Sequence, residues 1–393
     1  MTNRRNLLIA ATFTAVLLVL GVLERTFERE AEAQAQNGLV DAPRFEVDPA
    51  FPKPLPNNWQ LGETIGVDVD AQDRVWIVHR SDQVVYGETG ADQNPPAASC
   101  CRRAPPVLAF DQQGNVIKHW GGPGAGYEWP QSNHGIAVDY KGVVWIGGNV
   151  GPDSQLLKFT QDGTFITQFG KSGQNKGSND PENFGRPAKI YVDPKNNEAY
   201  IADGYGNKRV VVIDADTGKF KRYWGGYGNK PDDTNFGTYN PDAAPIQQFR
   251  TPVHCAMISV DRLVYVCDRP NDRVQVFKED GTFVKEIFVK KKTLGDGSTW
   301  DIAFSKDPQQ KYLYLADGKN EKVYILLRET MEFLSSFGDG GRQPGQFFAV
   351  HSIAVDSKGN LYTTETYQGR RLQKFVFKGV QKVPRDQGVV WPK

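Results

Sequence analysis

Histidine is scarce in this chain, five in 393 residues, and three of the five stand at one place in a recurring pattern. His134 (in Asn133-His134-Gly135-Ile136), His254 (in Pro252-Val253-His254) and His351 (in Val350-His351-Ser352) each precede an apolar run of strand character. One histidine at a strand start is usually only a hydrogen-bonding residue. Three at one repeat position make a ligand set for a metal ion with a fourth position left open, the arrangement of a catalytic rather than a closed structural site. Neutral imidazoles with no thiolate suit zinc best, although other divalent ions fit the same ligands.

Arg80 and Arg269 share a second repeat position, at the end of a strand, and Tyr205, in Asp203-Gly204-Tyr205, lies close to it in another repeat. Guanidinium groups grip a carboxylate through two parallel hydrogen bonds, so this pair beside a metal suits a small anionic or peptide-derived substrate. A phenol next to a metal and two cations is a candidate general base. The structural alternative pairs each arginine with a local acid, such as Asp82 or Asp268, and makes Tyr205 a packing residue. His79 precedes Arg80 on a strand and points to the opposite face, which makes it structural, and His119 falls in a peripheral outer strand. Asp162-Gly163 and Asp280-Gly281 are hairpin turns. No Gly-rich phosphate loop, C-x-x-C pair or G-x-S-x-G elbow occurs.

The positioning elements recur six times: an apolar strand ending in V-D, a polar turn, an alternating strand, a third strand, a turn with Gly, and a fourth strand often ending in W-G or F-G. The clearest copies begin at His134-Gly135-Ile136-Ala137-Val138-Asp139, Ile190-Tyr191-Val192-Asp193 and Ile353-Ala354-Val355-Asp356, and others begin near Ile65, His254 and Trp300. Short strands of period two, repeating at about 40–70 residues, predict an all-β fold, a six-bladed β-propeller of four-stranded antiparallel blades around a central channel. The three histidines fall in blades 2, 4 and 6, while Ile65, Ala188 and Trp300 hold the same position in blades 1, 3 and 5. Alternate blades lie about 120° apart, so three imidazoles at one height converge on the axis. Extra length falls between Tyr86 and Pro106, Gly170 and Arg186, and Gly226 and Gln248, where substrate contacts are expected. The strand completing the last blade comes from Val380 onward or from the Arg44 to Val47 region.

A formal net charge of +1 gives no field to draw the chain to nucleic acid. Arg4 and Arg5 precede an apolar run from Leu7 to Leu23, with Ala33-Gln34-Ala35 as a small-x-small site. Residues 1–35 are therefore expected to be a signal peptide or an N-terminal membrane anchor, followed by a Pro-rich linker over 36–58, the propeller over 59–380 and a tail over 381–393. Either reading puts the body, expected to be a monomer, in an exported, oxidising compartment, periplasmic or secreted. Cys255 and Cys267 flank a hairpin turn at equal distance and are expected to be neighbours on paired strands, a candidate disulfide; the state of the adjacent Cys100 and Cys101 stays open.

Over roughly residues 60–378 the repeats resemble the NHL family. Within it, Val78-His79-Arg80-Ser81-Asp82, Asn133-His134-Gly135-Ile136, Asp203-Gly204-Tyr205-Gly206-Asn207, Pro252-Val253-His254, Cys267-Asp268-Arg269-Pro270-Asn271 and Val350-His351-Ser352 resemble, in order, the lyase half of peptidylglycine α-amidating enzymes, peptidyl-α-hydroxyglycine α-amidating lyase. The resemblance implies zinc on His134, His254 and His351, Tyr205 as base, and Arg80 and Arg269 on the substrate, in cleavage of a carbinolamide to an amide and glyoxylate. It also implies a structural calcium with backbone ligands at Val67 and Ile136. The family's Met-Pro before the third histidine is Ala349-Val350, the Asp after it that helps hold calcium is Ser352, and the Cys after the tyrosine in animal members is Gly206. The copper monooxygenase half has no counterpart, so a hydroxylated substrate is expected from elsewhere. Competing readings are a non-catalytic exported binding scaffold and another metal-dependent propeller hydrolase; a scaffold has no need of ligands converging on its axis.

Overall fold

The computed structural model describes residues 38–392. The segment expected to direct export, including Leu7–Leu23, lies outside them, and among the described residues no helix is long and apolar enough to cross a membrane.

The V-D ending of the first strand is a turn device. The Asp139 carboxylate accepts from the backbone N–H groups of Lys141 and Val143, both at 2.9 Å, and from the indole of Trp145 on the next strand, 2.9 Å. Asp70 serves Gln72, Arg74 and Trp76 in the same way, and Asp356 serves Lys358, Asn360 and the Tyr362 hydroxyl. One residue type thus closes the hairpin and anchors the following strand's aromatic ring. That aromatic recurs in every blade as Trp76, Trp145, Tyr200, Tyr265, Tyr314 and Tyr362, all buried between sheets.

The result is six four-stranded antiparallel sheets, as expected. From the axis outward, blade 1 is Glu63–Val69, Val75–Arg80, Val107–Phe110 and Val116–Trp120; blade 2 is Asn133–Val138, Val144–Gly148, Gln155–Phe159 and Phe165–Gly170. Blade 3 is Lys189–Asp193, Glu198–Asp203, Arg209–Asp214 and Phe220–Trp224; blade 4 is Val253–Ile258, Leu263–Asp268, Arg273–Lys278 and Phe283–Phe288. Blade 5 is Asp301–Phe304, Tyr312–Asp317, Lys322–Leu327 and Phe333–Phe337. Each blade's first strand contacts those of its two neighbours, which closes the ring. Apolar side chains fill the wedges between blades, so the core is six interblade layers.

Blade 6 settles how the ring closes. Its strands are Val350–Val355, Leu361–Glu365 and Leu372–Pro384, and its outer strand is Leu39–Val47, from the other end of the chain. The segment expected as a linker thus supplies a strand, and the propeller begins at residue 39 rather than 59. The expected tail packs too: Val390 is buried, and its carbonyl accepts from Val47 N–H at 2.7 Å. Phe45, fully buried, packs against Tyr314, Phe337 and Phe377 with ring centroids 5.3–5.8 Å apart. A chain beginning at residue 59 loses this side chain and leaves Leu372–Pro384 as a bare edge. Losing one large buried aromatic alone costs about 3–5 kcal/mol, so thermal unfolding should shift down by about 5 °C or more, with aggregation. Circular dichroism melts check this; an unchanged Tm would show the closure to be dispensable.

Cys255 and Cys267 face each other across blade 4 and are bonded, with Cα atoms 4.8 Å apart. Cys100 and Cys101, left open by the sequence, are bonded to each other.

Candidate metal centre

Each histidine sits on a bulge. The register of the first two strands slips between Asn133 and Ile136, between Val253 and Cys255, and between Val350 and Ser352. A bulge re-aims a side chain that regular pairing would hold against the neighbouring blade. The three buried imidazoles therefore turn to the axis, with ring centroids 4.8–5.2 Å apart and candidate ligand atoms within 4.8 Å of one another.

The next blade holds each ring. Nδ1 of His134 donates to the Ala188 carbonyl, 2.7 Å; that of His351 donates to Ile65, 2.7 Å; that of His254 donates to Trp300. These acceptors are the residues occupying the histidine position in blades 3, 1 and 5. A carbonyl can only accept, so the proton is on Nδ1 and the Nε2 lone pair is free for a metal. Gly135 permits this approach: a Cβ there would come within 2.8 Å of the Ala188 oxygen. Burial, then the positive charges nearby, holds His134 and His254 well below the ordinary imidazole range, and burial followed by Arg269 pushes His351 down to about 3. All three are thus neutral at physiological pH, the form a metal requires.

Tyr205 joins the cluster. Its hydroxyl lies 2.9 Å from Nε2 of His134 and 3.1 Å from Nε2 of His254, and Nη1 of Arg269 donates to it at 3.2 Å. The phenol has one proton for two facing lone pairs. The centre is electron-rich and enclosed, and a cation fits its donor set. Gly204 brings the tyrosine in, since a Cβ there would come within 1.9 Å of the Val253 oxygen.

Neither arginine pairs with Asp82 or Asp268, but each meets another acid, Arg80 its cross-strand neighbour Glu63 and Arg269 the side chain of Asp296. Asp268 is used by Arg273, 2.8 Å, and by Asn271, 2.7 Å. Arg269 lies over the Trp300 ring, 4.5 Å from its centroid, with Nη2 3.7 Å from Asp296, and its buried Nε has no partner. Arg80 pairs with Glu63 and donates to Asn149, 2.9 Å. Of the six residues singled out from the sequence, the three histidines, Tyr205 and Arg269 come together, while Arg80 bonds to Glu63, Asn149 and the Asn133 carbonyl beside them. Glu63, Asn149 and Asp296 were missed; they carry no motif and meet the arginines only through folding. His79 is structural as expected: Nδ1 accepts from Gly62 N–H, 3.1 Å, Nε2 donates to Pro105, 2.9 Å, and burial lowers it to about 4.

All three long insertions, with the segments 121–132, 289–300 and 338–349, rise at the histidine end, while the turns at the other end are short. Only the histidine end is thus built up to enclose a ligand. Val67 and Ile136 lie deeper, lining the opposite mouth of the channel.

No protein-family profile matches the chain. Curated relatives do match, among them the following three. Peptidyl-glycine alpha-amidating monooxygenase B of Xenopus laevis is 26% identical over 321 residues, 79% of this chain and 33% of that protein. A Caenorhabditis elegans protein named "Probable peptidyl-alpha-hydroxyglycine alpha-amidating lyase" is 22% identical over 88% of this chain and 92% of its own length. This chain is a distant homologue of the amidating enzymes. It is equally related to NHL repeat-containing protein 3 of Mus musculus, 25% identical over 86% of this chain and 85% of that one. The chain spans about a third of the Xenopus protein's length. Among solved structures, a Bacteroides thetaiotaomicron protein of unknown function superposes with a TM-score of 0.53 at 13% identity, over 86% of this chain and 77% of that one, a likeness of fold alone.

Proposed function

We propose that this protein is a zinc-dependent lyase that splits a carbinolamide, R-CO-NH-CH(OH)-COO⁻, into the amide R-CO-NH₂ and glyoxylate. The observation that carries the reading is the convergence of three Nε2 atoms, the Tyr205 hydroxyl and the Arg269 guanidinium at the enclosed end of the channel. Zinc held by His134, His254 and His351 would supply Lewis acidity to an oxygen ligand at its open position. Tyr205, to which Arg269 donates, is the base that takes the carbinol O–H proton. The C–O bond becomes the carbonyl of glyoxylate, the C–N bond breaks with its electron pair passing to nitrogen, and Tyr205 returns the proton to the departing amide. No water or redox partner is consumed. Arg80, held by Glu63 and Asn149, and the unpartnered Nε of Arg269 are set to hold the carboxylate and fix the orientation of the C–N bond.

Export is part of the proposal; the two disulfides support an oxidising compartment. A non-catalytic propeller is the second reading, favoured by the equal relationship to NHL repeat-containing protein 3. Metal analysis of the purified body, paired with glyoxylate release from an α-hydroxyhippurate-type substrate, separates them. One zinc per chain with glyoxylate formed is the expected result; no metal after reconstitution would favour the scaffold. Arg80→Gln should raise KM for the carboxylate substrate by about tenfold or more with zinc content unchanged, the value of a charge-assisted hydrogen bond. An unchanged KM would remove Arg80 from the substrate site.

A further inference from the structure

One residue beyond the histidine position, the six inner strands carry Gly66, Gly135, Lys189, Cys255, Asp301 and Ser352. The three polar members are tied together across the channel. The Lys189 ammonium of blade 3 lies 2.5 and 2.6 Å from the two carboxylate oxygens of Asp301 in blade 5, and the Ser352 hydroxyl of blade 6 donates to Asp301 at 2.9 Å. Asp301 accepts from two backbone N–H groups besides, Ile302 at 2.9 Å and Ile353 at 3.0 Å, and its side chain is 1% exposed. Its oxygens are saturated.

The calcium that the family resemblance implies does not fit this layer. Its carboxylate-bearing position is Ser352, whose hydroxyl is spent on Asp301. Val67 and Ile136, its backbone ligands, line the same segment of channel as Lys189. A divalent ion there would face the Lys189 ammonium, a like charge, while the Asp68 carboxylate in the same segment accepts from the Val69 and Val138 N–H groups. Among the described residues, the histidine triad is the only group of three side chains suited to a metal. The Lys189 and Asp301 charges already cancel.

We propose that Lys189 is the built-in cation of this channel, replacing a bound calcium, and that the Lys189–Asp301–Ser352 tie holds blades 3, 5 and 6 together beside the histidines. Each member adjoins an anchor of the site: Lys189 follows Ala188, which holds His134; Asp301 follows Trp300, which holds His254; and Ser352 follows His351. The proposal does not depend on the lyase reading, because its test reads calcium content and melting temperature.

The intact protein, passed through calcium chloride and gel filtration at constant zinc, should retain no calcium. Its Tm should move by less than about 1 °C with added calcium, since a ligand that does not bind the native state cannot stabilise it. Lys189→Met should lower the Tm by several degrees with no rescue by calcium. Lys189→Ala combined with Ser352→Asp should regain several degrees on calcium addition and retain about one calcium per chain. Stoichiometric calcium in the wild-type protein, or a calcium-dependent Tm there, overturns the proposal even if both variants fail to fold. A folded double variant indifferent to calcium overturns it as well.

Discussion

His351→Ala should purify folded, without its equivalent of zinc, and release glyoxylate at least about 10³-fold more slowly than the wild type. Of the three ligands this one gives the cleanest test, because His134 and His254 also contact the Tyr205 hydroxyl whereas His351 is held by Ile65 alone. Removing it leaves two imidazoles, too few for the open three-ligand site, and leaves the tyrosine's hydrogen bonds in place. The fold should survive, since the interblade layers that hold the ring do not include the imidazoles. Atomic emission on the purified variant, a melt and a glyoxylate assay together decide the matter. Full zinc occupancy would end the three-histidine assignment; lost zinc with an unchanged rate would separate the metal from the chemistry.

The ring and the histidine set were legible for a physical reason. A propeller repeats one supersecondary unit, so turn chemistry such as Asp139 serving Lys141 and Val143 recurs in the sequence, and a residue type that breaks the pattern at alternate repeats stands out. Less could be read where partners come from different repeats. Arg80 reaches Asn149 of the next blade, and no local rule connects that pair; Glu63, by contrast, is its cross-strand neighbour in blade 1 and was within reach of hairpin pairing. The bulges that aim the histidines have no residue signature, because they are set by pairing register rather than by side-chain type. The closing strand Leu39–Val47 was read only as one of two candidates, around Arg44 to Val47, because Pro43 stands at a register shift, where a missing N–H is tolerated, and gives the segment the look of a linker. Ring closure between the two ends of a chain is a topological fact, and periodicity alone does not carry it.

Tyr205→Phe should keep one zinc per chain and the wild-type Tm, and lose about 10²–10⁴-fold in kcat with little change in KM, the span of a general acid–base group. The expectation follows from what the hydroxyl touches. It accepts from Arg269 at 3.2 Å and lies within 3.1 Å of two imidazole nitrogens whose protons are on the far side of their rings. The three imidazoles suffice for the proposed coordination set without the hydroxyl, so its loss should spare the metal, and the phenyl ring preserves the packing against His134 and His254. On the proposed mechanism, what goes is the group that takes the carbinol proton and returns it to the leaving nitrogen, a contribution made in the transition state and therefore read in kcat. Substrates with better leaving groups than an amide need that returned proton less, so the variant's deficit should shrink as the leaving group improves. Stopped-flow measurement of glyoxylate with an amide and an activated analogue tests both parts. A deficit that stays constant across leaving groups would confine Tyr205 to accepting the first proton, and an unchanged kcat would remove it from the reaction.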